Sequence, residues 1–280
     1  MTLKTPNYAK EAGVTYCISD VHGQGDLFDA LLKKINFCEQ SDKLYVLGDV
    51  VDRGPEGIKI IDKIMNMSNV ELLLGNHELM VRDALTPNNA FVNSTKRFSN
   101  EDYFDLWMSN GGEQTFEEWL ELSNFQKFKI LSYLWGLREW IYTNVNGKSY
   151  LLVHAGIDAS FRGEVKGKDK HELIKNLMDS QIKPHDLQFC GRSSMYNNDS
   201  IFWIRGEFLR RPALGERDGI VIVFGHTPTV RLIDGTKITF WKDKKHHDKI
   251  GIDCGVYSTG VMGALCLETL EESYVCRDEF

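Results

Sequence analysis

Residues 43–54 read Lys-Leu-Tyr-Val-Leu-Gly-Asp-Val-Val-Asp-Arg-Gly. The apolar run Lys43–Leu47 reads as a short buried strand, and it breaks at Gly48 into a stretch bearing two carboxylates and a guanidinium. The same grammar occurs on either side of it. Val14 to Ser19 reads as a strand that runs into Asp20-Val21-His22-Gly23, and Glu71 to Leu74 as one that runs into Gly75-Asn76-His77-Glu78. Helical patterns separate these strands. Leu27, Phe28, Leu31, Leu32 and Ile35 share one face of Asp26–Ile35, and Ile58, Ile61, Ile64 and Met65 form a second stripe, with Pro55 suited to that helix's first turn. A third helix is expected from about Glu78. Strand–helix–strand–helix–strand implies a largely parallel sheet with helices packed on it.

The remainder of the chain is patterned differently. Phe98 to Trp140 is rich in aromatics, reads as helical and is broken by Gly111–Gly112. Strands follow at Tyr150–Val153, Ile220–Phe224, Lys237–Trp241, Lys249–Ile252 and Ala264–Glu268, so the second half reads as a second sheet. Two sheets that must bury their faces form a β-sandwich flanked by helices. No repeat or linker divides the chain, which is read as one domain over residues 1–280 with a mainly helical insertion around 86–145. The least regular segment is Phe161–Gly219, and the charged run Lys166–Lys170 within it is expected to be solvated.

The 280 residues carry a formal net charge of −7, with 42% hydrophobic and 26% charged side chains. That balance belongs to a folded globular protein and excludes a nucleic-acid duplex as the main partner, because phosphate-rich partners require a basic surface. No apolar run approaches the ~18 residues of a membrane span. The start, Met1–Lys10, lacks the apolar core of a signal peptide, so a cytoplasmic location and no membrane partner are expected. The six cysteines are scattered without a C-x-x-C pair and are expected as free thiols.

Ligands of open α/β sheets gather at the carboxyl ends of the strands. Here five strand ends carry metal-competent side chains, since Tyr150–Val153 runs into His154-Ala155-Gly156 and Ile220–Phe224 into Gly225-His226-Thr227-Pro228. Carboxylate oxygen and imidazole nitrogen suit divalent first-row metals. Two adjacent ions need an anionic bridge, and Asp49 is central. Asp20 and His22 then complete the shell of one ion, and Asn76, His154 and His226 that of the other. Half of the eight histidines lie in these motifs; His171, His185, His246 and His247 sit in polar surroundings, the last pair in an expected exposed turn.

The motifs Asp20–Gly23, Gly48–Gly54 and Gly75–Glu78, with the later His154 and Gly225–His226 positions, resemble those of the phosphoprotein phosphatase family of metallophosphoesterases, in its bacterial and phage-like branch. The resemblance spans about Thr15 to Glu268. It implies an α/β, four-layer αββα sandwich, two mixed β-sheets flanked by helices, of the calcineurin-like kind. It also implies two divalent metal ions, manganese foremost or iron with zinc. By the same resemblance Arg53 binds phosphate, and Trp203-Ile204-Arg205 places Arg205 as a second clamp, with Arg192, Arg210 and Arg211 as nearby alternatives. His77 is left to protonate the leaving oxygen, and Asp52 is its partner. Asn110-Gly111-Gly112 recurs in the family and is expected to help shape the site. The Ser-Ala-Pro-Asn-Tyr-type loop of the eukaryotic branch is replaced by Gly251–Tyr257. Cys254 in that stretch is read as an inert small residue before any redox role.

The implied function is a metal-dependent phosphomonoesterase, foremost a serine/threonine or dual-specificity protein phosphatase. Its one-step hydrolysis would use hydroxide held between the two metal ions, on a phosphoprotein or a small phosphoester. The alternative within the same chemistry is a symmetrical dinucleoside polyphosphate hydrolase acting on diadenosine tetraphosphate. Such relatives typically show Ala-Arg-Gly where this chain has Asp52-Arg53-Gly54, and Gly-Asn-His-Asp where it has Gly75–Glu78. The alternative of another class is an inactive, phosphatase-like binding scaffold, which would be expected to lose ligands or the His77–Asp52 pair.

Overall fold

The computed structural model describes residues 13–86, 100–158, 169–181, 200–214 and 219–279. The first third follows the expected order: β1 (Thr15–Ile18), α1 (Gly25–Lys34), β2 (Lys43–Val46), α2 (Gly57–Met65), β3 (Val70–Leu72) and α3 (Asn76–Leu85). Three helices follow, α4 (Asn100–Ser109), α5 (Glu113–Leu120) and α6 (Asn124–Trp135), before the hairpin of β4 (Trp140–Val145) and β5 (Lys148–Val153). Then come α7 (Lys170–Gln181), α8 (Gly206–Arg210), β6 (Ile220–Phe224), β7 (Trp241–Lys242), β8 (Lys249–Gly251), α9 (Val256–Thr259), β9 (Val261–Cys266) and β10 (Glu272–Cys276).

The strands form two five-stranded mixed sheets, ordered β10-β9-β1-β2-β3 and β4-β5-β6-β8-β7. Strand periodicity explains how they stack, because successive side chains leave opposite faces of a strand. On β2, Leu44 and Val46 join the core under the first helices, whereas Tyr45 and Leu47 join a second core. That second core also takes Tyr150, Leu152 and Val223 from the other sheet, so it lies between the sheets. On the far side Leu151, Val153, Ile222 and Phe224 pack with α7 and α8 residues Ile174, Met178 and Phe208. Each sheet is therefore buried on both faces, and the layers run helix, sheet, sheet, helix.

Six expectations require correction. The strand expected at Ala264–Glu268 belongs to the first sheet: β9 pairs antiparallel with β1, Tyr16 opposite Cys266, and covers an edge that β2 leaves open. The helical reading stops at Trp135, since Trp140–Val145 is strand β4. Its β-branched and aromatic side chains and the two-residue Asn146-Gly147 turn, both at positive φ, are a hairpin signal that the aromatic density of the segment masked. Of Lys237–Trp241 only Trp241 is in a strand, the two-residue edge β7. Pro55 sits in the turn before α2 instead of its first turn. The helix expected near Glu78 starts at Asn76. The supposedly irregular segment holds α7 and α8, while Lys166, His185, Cys190 and Arg192 lie outside the described residues. No helix among the described residues is long and apolar enough to cross a membrane.

A buried ion cluster ties the second sheet to α8. The Lys249 ammonium, fully buried, lies 2.7 Å from both Asp243 Oδ2 and Asp248 Oδ1 and donates to Arg211 O at 2.9 Å. Asp248 Oδ2 accepts from Ala213 N at 2.7 Å, just beyond the helix that Arg205 begins. Burial opposes ionisation of Asp243, but its bonds from Lys249 and the Lys245 and His246 amides win and hold it down at about 2. Lys249→Met leaves two carboxylates without their cation and is expected to cost ~3–5 kcal/mol, read by denaturant titration. Because Asp243 is depressed on folding, its contribution is present above pH ~4 and is lost as pH falls toward 2. Acid unfolding of the parent should show that loss, and the Lys249→Met protein should show less of it.

Candidate active site

The loops after β1, β2, β3, β5 and β6 converge on one cleft of about 910 Å³ lined by Asp20, His22, Asp49, Arg53, Asn76, His77, Arg205 and His226, among others. These loops hold each other through main-chain bonds: Asp20 N to Gly48 O (3.1 Å), His22 N to Asp49 O (2.9 Å) and Gly225 N to His154 O (2.7 Å). Close approach demands glycine at Gly48. A Cβ there, at φ +90°, would lie 2.6 Å from Gly75 Cα and 2.8 Å from His154 Nδ1.

Of the ten non-glycine residues at positive φ among the described residues, six are Asp20, His22, Asp49, Asp52, Arg53 and His226. A left-handed backbone costs a side-chain-bearing residue about 1–3 kcal/mol, so the surroundings must enforce it. Glu78 does so for the loop after β2. Its buried carboxylate accepts from the N–H groups of Asp49 (2.7 Å), Val50 (2.7 Å), Val51 (3.2 Å) and Gly75 (3.1 Å). Burial and the Asp49 charge push Glu78 up to about 7.

The candidate ligands surround Asp49. One set of mutually close donors is His22, Asp49 and His77; the other is Asp49, His154 and His226. His154 Nε2 lies 3.4 Å from Asp49 Oδ1 and 2.8 Å from Asn76 Oδ1, while its Nδ1 donates to Leu47 O at 2.7 Å. His22 Nδ1 likewise donates to Val51 O at 3.0 Å, which leaves Nε2 as the acceptor facing the cleft. Asp20 lines the same cleft but stands outside both close sets, its Oδ2 taking the His226 N–H at 2.9 Å and the Ser19 hydroxyl. His77 stands nearer Asp49 than the expected division of roles required.

The donor set fits divalent cations on three counts. His226 Nε2 is buried with no hydrogen-bond partner. Burial, then the charge of Asp49, raises Asp20, as expected for two carboxylates packed together. Burial, with His77 for one and His154 for the other, drives His22 and His226 well below the ordinary imidazole range, so both offer neutral lone pairs. Burial pulls His154 down as well, but the Asp49 charge and hydrogen bond prevail and bring it to about 9.

His77 and Asp52 form a separate unit. His77 Nδ1 is 2.6 Å from Asp52 Oδ2, and both side chains are buried. Trp107 Nε1 donates to the other Asp52 oxygen at 2.9 Å, and Asp52 N donates to Thr115 Oγ1 at 2.8 Å. Burial lowers the proton affinity of His77, but Asp49 and the Asp52 bond outweigh it and the net direction is upward. The Arg53 guanidinium reaches between His22 Nε2 (2.8 Å) and His77 Nε2 (3.0 Å), and its main chain is fixed by Arg53 N to Gly111 O at 2.9 Å. Arg205 lies across the cleft and donates from Nη2 to His226 O at 3.3 Å. Among the described residues neither arginine is in an ion pair. Arg210 and Arg211 pair with Glu207 and do not line the cleft.

Sequence reasoning missed the bracing by Trp107 and Thr115, and the cleft residues Arg231, Asp253 and Tyr257. Asp253 follows β8, so the strand-end rule that found the other sites reaches it too. Of the aromatics in α4–α6, Tyr103, Trp107 and Trp119 are core, whereas Phe125, Phe128 and Trp135 are exposed, and the Ser109–Gln114 stretch lines the cleft. Cys254 is buried in the core between the sheets, off the cleft, and burial drives its thiol up.

Residues 14–241 match the calcineurin-like phosphoesterase family, and the chain belongs to it. It is 43% identical over 190 residues to a protein from Acidovorax sp. named symmetrical bis(5'-nucleosyl)-tetraphosphatase, covering 67% of this chain and 58% of that one. A protein of the same name from Buchnera aphidicola of Acyrthosiphon pisum is 33% identical over 114 residues, 40% of this chain and 39% of its own length. The chain thus aligns with about two-fifths to three-fifths of the length of such curated relatives. A solved structure described as a candidate diadenosine tetraphosphatase superposes with a TM-score of 0.55 at 16% identity, covering 95% of each chain, and shares the fold.

The Glu78 carboxylate is spent on main-chain N–H groups and does not line the cleft. Glu or Asp at this position therefore bears on loop stability and not on substrate choice. Glu78→Asp, one methylene short of those donors, is expected to cost about 1–3 kcal/mol by thermal melting while the ratio of rates on any two substrates stays as in the parent.

Proposed function

We propose that this phosphoesterase hydrolyses phosphate monoesters of alcohols, phosphoserine and phosphothreonine foremost, with two divalent ions held by Asp20, His22, Asp49, Asn76, His154 and His226. The observation that carries this reading is the buried His77–Asp52 pair, closed at 2.6 Å and braced by Trp107. An alkoxide is a poor leaving group and needs a proton as its bond to phosphorus breaks. His77 can deliver that proton from Nε2 while Asp52 accepts from Nδ1 and stabilises the imidazolium. Bound ions would polarise the phosphoryl group and lower the pKa of the attacking water, with manganese, or iron and zinc, suited to these oxygen and nitrogen donors. Arg53 exchanges its imidazole contacts for phosphoryl oxygens, and Arg205 meets them from the opposite wall, each presenting a planar fork. No cysteine or serine nucleophile is required.

A second reading, symmetrical hydrolysis of dinucleoside tetraphosphates, is favoured by the names of the curated relatives, which support it better than they support the first. A 910 Å³ cleft is also roomy for a single phosphate. In that reaction the leaving oxygen belongs to a phosphate and departs without a proton, so it leaves the His77–Asp52 pair without a task. An inactive scaffold would have no use for the pair either.

Chelator-stripped protein given manganese and offered a phosphothreonine peptide, a phosphotyrosine peptide, nitrophenyl phosphate and diadenosine tetraphosphate separates the readings. Preferred turnover of the peptides is expected, and preferred cleavage of the dinucleotide installs the second reading. Silence on all four with metal leaves the scaffold. His77→Asn is expected to slow the phosphothreonine peptide by ~10²-fold or more and nitrophenyl phosphate, whose leaving group needs no proton, far less. Equal losses would remove the acid role.

A further inference from the structure

Arg231 ends a short turn, Thr229–Arg231, that follows directly on His226-Thr227-Pro228. Its backbone is anchored by Thr229 N donating to Asp253 O at 2.8 Å and Arg231 N to Pro228 O at 2.9 Å. The side chain is exposed and lines the same cleft as Arg205, Tyr257 and Ser258. Among the described residues no carboxylate lies within ion-pair distance of Arg231 or Arg205. The chain as a whole is acidic, at −7, so this arginine is not one of many on a basic surface.

One phosphoryl group does not use all of this charge. Arg53 and Arg205, with the cations the donor set suits, already meet a phosphate dianion. A third guanidinium on the same cleft, in no ion pair among the described residues although Asp20, Asp49 and Asp253 share the cleft, keeps its planar fork for a further anion. The two arginines line one cleft, and Arg231 follows His226, whose carbonyl takes the Arg205 Nη2 bond, by only five residues.

We propose that Arg231, in the same cleft as the Arg205 clamp, forms a second anion subsite. It takes a phosphate or carboxylate carried by the substrate beside the phosphoryl group being cleaved. The assignment rests on the phosphoester-hydrolase reading above and narrows its substrate class to esters or anhydrides with a neighbouring anionic group. The two sources of that group are the next phosphate of a polyphosphate chain and an acidic side chain next to a phosphorylated residue. A guanidinium fork serves either.

The test is carried out on manganese-loaded protein with inorganic pyrophosphate and orthophosphate as probes, by calorimetry, for the parent, Arg231→Ala and Arg231→Lys. The parent is expected to bind pyrophosphate at least tenfold more tightly than orthophosphate, in line with one added charge-assisted contact. Arg231→Ala should shrink that preference to threefold or less, and Arg231→Lys should keep part of it. Because Arg231 is exposed, thermal melting should confirm an intact fold. Chelation of manganese by pyrophosphate is common to all three proteins and cancels in the comparison. Source is read from kcat/KM ratios in parent and Arg231→Ala, for diadenosine tetraphosphate and for phosphothreonine peptides with aspartate or alanine beside the phosphorylated residue, each relative to nitrophenyl phosphate. A tenfold fall in the dinucleotide ratio names the polyphosphate, and a tenfold fall confined to the aspartate peptide names the acidic side chain. An unchanged pyrophosphate preference in Arg231→Ala overturns the subsite. Absence of turnover on every substrate, with the binding preference intact, overturns the hydrolase reading and leaves the subsite standing.

Discussion

The Glu78 carboxylate, buried at the first turn of α3, accepts the main-chain N–H groups of Asp49, Val50, Val51 and Gly75. A loop that leaves a parallel strand has no ladder partner for those groups, and buried N–H groups without partners are costly. By supplying the acceptor from a neighbouring helix, Glu78 fixes Asp49 at φ 57°, while Thr115 Oγ1 and Gly111 O take the N–H groups of Asp52 and Arg53 at φ 70° and 67°. Asp49 then accepts the His77 N–H at 3.0 Å, which ties the start of α3 back to the same carboxylate. The strain at these positions and the chemistry they carry are thus two aspects of one arrangement.

The layers of the fold explain why the site lies where it does. Parallel strands in both sheets send their carboxyl ends to one edge of the sandwich, so loops distant in sequence meet without any long connection crossing the cleft. The second sheet delivers His154, His226 and Asp253, and the first delivers Asp20, Asp49 and Asn76. Arg205 depends on neither sheet directly. It immediately precedes α8, which is held from behind by Phe208 packing on Phe224 at 5.0 Å and by the Lys249 cluster.

Much of this was legible because it is written in local patterns. Apolar runs ending in Gly, Asp, Asn or His identify β1, β2, β3, β5 and β6, and the side chains after them are the ones brought together. What escaped is non-local. The pairing of β9 with β1 depends on an open sheet edge that no local pattern records. Strand β4 was hidden because Trp and Tyr serve helices and strands alike, although Asn146-Gly147 marked its turn. Trp107 is a fully buried core residue, but its indole N–H also holds Asp52, a role that burial alone does not announce. Arg231 and Asp253 were missed since neither stands in a motif, even though Asp253 obeys the strand-end rule. The sequence contrast at Glu78 was readable, yet its meaning was structural, and that became visible only once its hydrogen bonds were known.

In the proposed centre Asp49 stands between two cation positions, with Asp20 and His22 on one side and His154, His226 and Asn76 on the other. Anomalous diffraction from crystals equilibrated with manganese tests it most directly. Two peaks per chain that share Asp49 are expected, each touching the imidazoles of its own side. A single peak remote from Asp49, or two peaks that leave Asp49 unligated, would contradict it.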